Sequence, residues 1–257
     1  MAAVDRERIG GPASSRTALV VTAAGARPGS GAAEERQVSG WQRVATSIEI
    51  AAVAAIVCAI CWSVALRGLL ARPRVGAGPS EVARFYESHH TQVVVLLALI
   101  VIGTVAFLWF VGVVRSRLGQ REHRMLGSVF HGSSVLLAGL VLLGAAMLAA
   151  PSFLVDVGGG MPDVGAASLL RAESAVVLSV FAPRIATLVI FSVASLGRTS
   201  GALPRWLVVV SYVVGVAEFV NVTISQPTLY VFPAWIALVS VVLLVRRPDV
   251  PVGTPGS

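Results

Sequence analysis

Four ionisable side chains stand inside long apolar runs of this sequence, and any intramembrane chemistry would begin with them: Glu49, His131, Arg184 and Glu218. A charged group within a bilayer costs about 2.5–3.5 kcal/mol on insertion scales, so such residues are few and face a partner or water. Counting 1.5 Å per residue from the expected helix ends places Arg184 roughly 12 Å and Glu218 roughly 9 Å below one membrane edge. The two are nearly level, on helices joined by a short connection, and an intramembrane ion pair between them is expected. Asn221, one turn beyond Glu218, could add a hydrogen bond. Glu49 and His131 fall roughly 6–8 Å from the opposite edge by the same rise. A histidine beside a carboxylate is the raw material of a proton relay or pH sensor, whereas shallow polar residues at an interface are simply hydrated.

Cys58 and Cys61 have the C-x-x-C spacing of redox and metal sites. The reactive form of that motif needs a helix N-terminus to favour thiolate, and these two lie within an apolar run. Zinc would need two further soft ligands at the same depth, and haem would need level histidines on facing helices. His89, His90, His123 and His131 do not provide them. Neither cofactor nor metal is therefore expected. The sequence also lacks H-E-x-x-H, G-x-x-x-x-G-K-[ST], G-x-S-x-G and G-x-G-x-x-G, so the expectation is a protein that is not an enzyme.

The elements that must position these residues follow from composition. Of 257 residues 56% are hydrophobic and 13% charged, with a mean hydropathy of +0.82. That is too apolar for a water-soluble domain and marks an all-α, polytopic membrane bundle. Stretches of about 20 apolar residues predict six transmembrane helices, at about 44–66, 92–114, 127–150 (ended by Pro151), 176–196, 206–224 and 229–245. All 20 basic residues are arginine. Fourteen fall in the tail and loops on one side of these spans and five on the other, so both termini are expected in the cytoplasm and the protein in the cell (inner or plasma) membrane. Residues 1–42 read as a disordered tail, 43–247 as the bundle and 248–257 as a short second tail. Ser80 is placed to cap a short helix with Val82, Phe85 and Tyr86 on one face, and Val155 to Gly165 read as a flexible outer loop. The halves of the chain do not match as an inverted repeat would require.

Arg115, Arg117, Arg121 and Arg124 form a cytoplasmic cluster suited to anionic lipid headgroups. Nucleic acid is not an expected partner, because the basic residues lie between apolar runs and not on a soluble face with aromatics. Ala51, Ala55 and Ala59, with Gly132, Ser133 and Gly139, allow close helix approach, within one copy or between copies of a homo-oligomer or with another membrane protein. The segments Phe85 to His90, Leu108 to Gly112, Gly201 to Leu207 and Phe232 to Trp235 with Arg246–Arg247–Pro248 resemble an uncharacterised family of six-helix integral membrane proteins of actinobacteria, a domain of unknown function. The resemblance covers roughly residues 80 to 248 and implies topology and source, with no residue role attached. Scarce intramembrane polar groups and absent catalytic motifs favour a non-enzymatic accessory, sensor or scaffold protein. A small-solute or proton-coupled transporter using Arg184, Glu218, Glu49 and His131 is the alternative, and a membrane redox enzyme using Cys58 and Cys61 a weaker one.

Overall fold

A computed structural model describes residues 30–71, 73, 77–118, 124–158, 163–201, 203–221 and 228–245, with backbone alone for 30–48, 71, 116–118, 124, 158 and 228. The chain divides into two compact units, Met1–Trp41 and Gln42–Ser257, and the second holds every side chain discussed below. The ordered elements among the described residues are all helical. In order they are α1 (Ser30–Ala71), α2 (Pro79–Leu118), α3 (Arg124–Gly158), α4 (Val164–Val176), α5 (Ala182–Ser200), α6 (Arg205–Val220) and α7 (Thr228–Val245). A π-helical turn at Val177–Phe181 makes α4 and α5 one continuous rod.

Four stretches are long and apolar enough to cross a membrane: Glu49–Leu70, Pro79–Arg115, Met125–Val157 and the continuous Val164–Ser200. Leu229–Val245 is a shorter apolar helix, and α6 has 16 residues. Of the expected N-terminal tail, residues 1–29 lie outside the described residues, while residues 30–42 are the first turns of α1; the C-terminal tail also lies outside them.

Three stretches overrun the roughly 20 residues that a hydrocarbon core requires, because their ends continue past the expected stops. α2 starts at Pro79 and is interrupted at His89, whose backbone is non-helical (φ −127°, ψ 16°). The short helix expected before span two is thus present, joined to it through a kink. α3 does not stop at Pro151 but passes through it to Gly158. A proline inside a helix removes one backbone hydrogen bond, here to Met147, and a helix packed on neighbours tolerates that loss. The expected loop at Val155 to Gly165 is correspondingly short, for Asp163 caps α4 by accepting from Gly165 N at 3.3 Å.

α3 sits at the centre, packed against α2, α4 and α5. Ser174 Oγ donates to Gly144 O at 2.8 Å and sets the α4–α3 register. α5 and α6 form an antiparallel hairpin closed by Gly201, whose φ of 70° only glycine adopts without strain, and by Leu203 N donating to Gly197 O. α7 lies on α5 and α6, with Trp235 Nε1 donating to Ser211 Oγ at 2.9 Å. Trp62 joins α1 to α2, through Thr104 Oγ1 at 3.3 Å and the Phe107 ring, and to α7 through Phe232. Ala51, Ala55 and Ala59 are buried as their spacing predicts, whereas Gly132 and Gly139 face outward, and a Cβ added at either would meet nothing within 4 Å. Val53, Ile60, Val64, Trp109, Val209, Val213 and Phe219 cover the outer surface with apolar groups, as a lipid-facing bundle requires.

Candidate functional site

Glu218 is 3% exposed, and among the described residues it is the only ionisable one lining a cavity of about 40 Å³ in the bundle. The other walls are apolar: Trp62 from α1, Leu137 from α3, Leu178 from the π-turn, Pro183 from α5 and Phe232 from α7 are typical. At roughly 10–15 Å³ for each water, the space accommodates about three. Trp62 directs its N–H away to Thr104, and no described residue lining the cavity is cationic.

The wall is shaped by two prolines. Pro183 has no N–H to give to Ser179 O, and the chain before it opens into the π-turn, where Ala182 N donates to Val177 O. Pro233 stands inside the first turns of α7 on the facing wall. α5 and α6 come close beside the cavity because Gly215 has no side chain: a Cβ there would lie 2.4 Å from Phe191 Cε1. Thr187 Oγ1 fills the same contact, 3.1 Å from Pro183 O and 3.2 Å from Gly215 O, so its single proton is shared between them.

That contact shows why the expected Arg184–Glu218 ion pair is not formed. Thr187 is level with Gly215, so Arg184 and Glu218, three residues on in opposite chain directions, are level too. Their azimuths differ. Ala182 and Ala186 line the cavity, and Arg184, two residues from each, points about 200° around the helix from both. Its guanidinium is half-buried and donates to Val180 O on its own rod. Glu49 and His131, the second expected pair, are both exposed side chains, on α1 and α3. Cys58 is buried and Cys61 half-buried, and both are free thiols. Among the described residues no group of three or more His, Cys, Asp or Glu is placed to hold a metal. Arg115 is exposed at the end of α2; the side chains of Arg117, Arg121 and Arg124 lie outside the described residues.

Sequence reasoning missed a second buried charge. Arg171, expected in a loop, lies on α4 at 4% exposure, donates to Pro73 O and interacts with the Tyr86 hydroxyl, which itself donates to Leu148 O at 2.9 Å. The signal was available: Ala167, Arg171, Ser174 and Ala175 are buried at helical spacing within the stretch that opens α4. No family model, curated protein or solved structure matches the chain.

Proposed function

We propose that this is a non-enzymatic accessory or sensor protein of the cell membrane, with six spans and both termini cytoplasmic, whose working part is the Glu218 cavity and whose ligand there is a proton. The observation that carries this reading is a single carboxyl group, buried against an otherwise apolar cavity with no cationic side chain among the described residues that line it. A lone charge in that setting is costly, so its counter-charge has to enter from outside the protein. A space of about 40 Å³ with apolar walls accommodates a proton with a few waters. The π-turn and the two prolines put the flexible parts of the bundle against this void, where a change in the charge of Glu218 would be felt by α5 and α7. A solute permease has less support, because Arg184 does not line the cavity.

The test is pH-difference infrared spectroscopy of the protein in lipid nanodiscs, comparing parent with Glu218→Gln. The reading expects a carboxyl band that changes with pH in the parent and is missing in the variant. Identical difference spectra across pH 4 to 9 would refute it. Cysteine labelling from each side of sealed vesicles at introduced loop cysteines tests the topology. Labelling of the α4–α3 and α5–α6 connections from the same side would overturn the proposed arrangement of spans.

A further inference from the structure

The face of α5 that the bundle leaves uncovered carries a cation. Phe181, Arg184, Leu188, Phe191 and Ser195 follow one another at three and four residues, and each is exposed or half-buried. Behind them Ala186, Val189, Ile190 and Val193 are buried. The neighbours of Arg184 one turn to either side, Phe181 and Leu188, are 52% and 44% exposed, an apolar surface of the kind a bilayer covers. Arg198 on α5, with Arg205 and Trp206 at the start of α6, is exposed, and these are the anchors that mark one edge of the apolar layer. From Arg198 back to Arg184 is roughly 21 Å at 1.5 Å per residue. In a hydrocarbon core of roughly 30 Å, Arg184 therefore lies roughly 9 Å below the opposite edge, the one nearer α4.

A guanidinium at that depth is costly without an anion, and the protein supplies none. Of its five N–H donors, one is engaged among the described residues, by Val180 O, and no described carboxylate pairs with it. A second copy of the chain has none to offer either, because Glu218, the described carboxylate level with Arg184, is buried against its own cavity. The direction of the side chain points to another source. Helical side chains lean toward the N-terminus, and the bond to Val180 O holds the guanidinium on the α4 side of its own Cα, toward the nearer edge. Lipid phosphates lie just beyond that edge, within reach of an arginine that runs its stem along apolar surface.

We infer that Arg184 is a phospholipid-binding residue: its guanidinium takes the phosphate of an anionic lipid in the leaflet nearer α4, and the acyl chains of that lipid lie along Phe181 and Leu188. The planar fork of an arginine matches phosphate oxygens in pairs, and an anionic headgroup brings no cation of its own to compete. The site is independent of the Glu218 cavity, which lies about 200° around α5 from it.

The experiment places the photoreactive residue p-benzoylphenylalanine at Leu188 in the full chain. The protein is reconstituted in bilayers of equal phosphatidylglycerol and phosphatidylcholine with the same acyl chains and irradiated, and its lipid adducts are weighed by mass spectrometry. Phosphatidylglycerol adducts should exceed phosphatidylcholine adducts about fivefold, the worth of one basic residue near a lipid surface, and Arg184→Gln should bring the ratio to about one. Arg184→Lys, which keeps the charge and loses the fork, should retain a reduced preference. High salt should lower the preference of the parent chain as well, a test that does not depend on the folding of a variant. A ratio in the parent that is near one, or that neither Arg184→Gln nor salt changes, would overturn the site. In cell membranes, a protein-sized adduct at Leu188 that disappears with Arg184→Gln would overturn the lipid in favour of a carboxylate on another membrane protein.

Discussion

Ser211→Ala removes one oxygen atom from α6, yet it should loosen the wall of the Glu218 cavity. Ser211 is fully buried; its Oγ donates to Leu207 O at 2.7 Å and accepts from Trp235 Nε1 at 2.9 Å. Removing the hydroxyl costs Leu207 O little, because that carbonyl lies within a helix ladder. The indole N–H, on a residue 3% exposed, has nowhere else to go. A buried donor stripped of its acceptor costs about 1–3 kcal/mol, whereas the net worth of an interhelical hydrogen bond in a membrane protein averages only about 0.6 kcal/mol. The stranded donor therefore dominates, and Ser211→Ala should cost about 1–3 kcal/mol. Trp235→Phe removes the donor and strands nothing: Ser211 keeps its bond to Leu207. Its own cost is lost packing of the larger ring. In the double variant the alanine adds almost nothing to the cost of the phenylalanine, giving a coupling of about 1–3 kcal/mol. The assay is reversible unfolding in mixed detergent micelles with increasing sodium dodecyl sulfate, followed by far-ultraviolet circular dichroism. Strict additivity of the two single changes would show that the bond does not join α6 to α7.

Other consequences are quicker to state. Gly144→Ala would set a Cβ 2.5 Å from Leu178 Cγ, so it should cost about 1–3 kcal/mol by overpacking, less up to about 1 kcal/mol of regained helix propensity; Leu178→Ala in the same chain should remove the clash, and a detergent melting curve decides it. Tyr86→Phe deletes the buried tie between α2 and α3 and withdraws the hydroxyl from the buried Arg171 guanidinium, and should cost about 1–3 kcal/mol in the same unfolding assay; an unchanged midpoint would place that tie outside the folded core. Arg184→Leu, lacking a partner on Glu218, should not be rescued by Glu218→Leu: the two changes should add, and compensation in the double variant would restore the ion pair that the packing argues against.

How much of this was written legibly in the chain can be judged residue by residue. Apolar run length located the helices, since lipid leaves the backbone no other way to pair its polar groups, and the starts expected at 206 and 229 lie within a residue of Arg205 and Thr228. The same signal failed where helices leave the apolar layer. Beyond Ala150 and before Val176 hydropathy falls and Pro151, four glycines and Asp163 intervene, so the sequence pattern ends α3 early and places α4 in the connection. Their continuation rests on tertiary contacts such as Ser174 with Gly144 and Tyr86 with Leu148, which link positions 30 and 62 residues apart. Depth was equally legible, because rise per residue is fixed: Arg184 and Glu218 do stand level across α5 and α6. Azimuth was not. A single residue turns a side chain by about 100°, and which of Pro183 or Arg184 faces Glu218 depends on where α5 meets α6. Gly215 and Thr187 decide that, through an approach distance that hydropathy does not encode. A carboxyl group expected to be neutralised by a neighbouring arginine is instead left against Pro183, Leu178 and Phe232. Its dependence on a mobile counter-charge is thus a product of helix rotation, set by one glycine and one proline on facing helices.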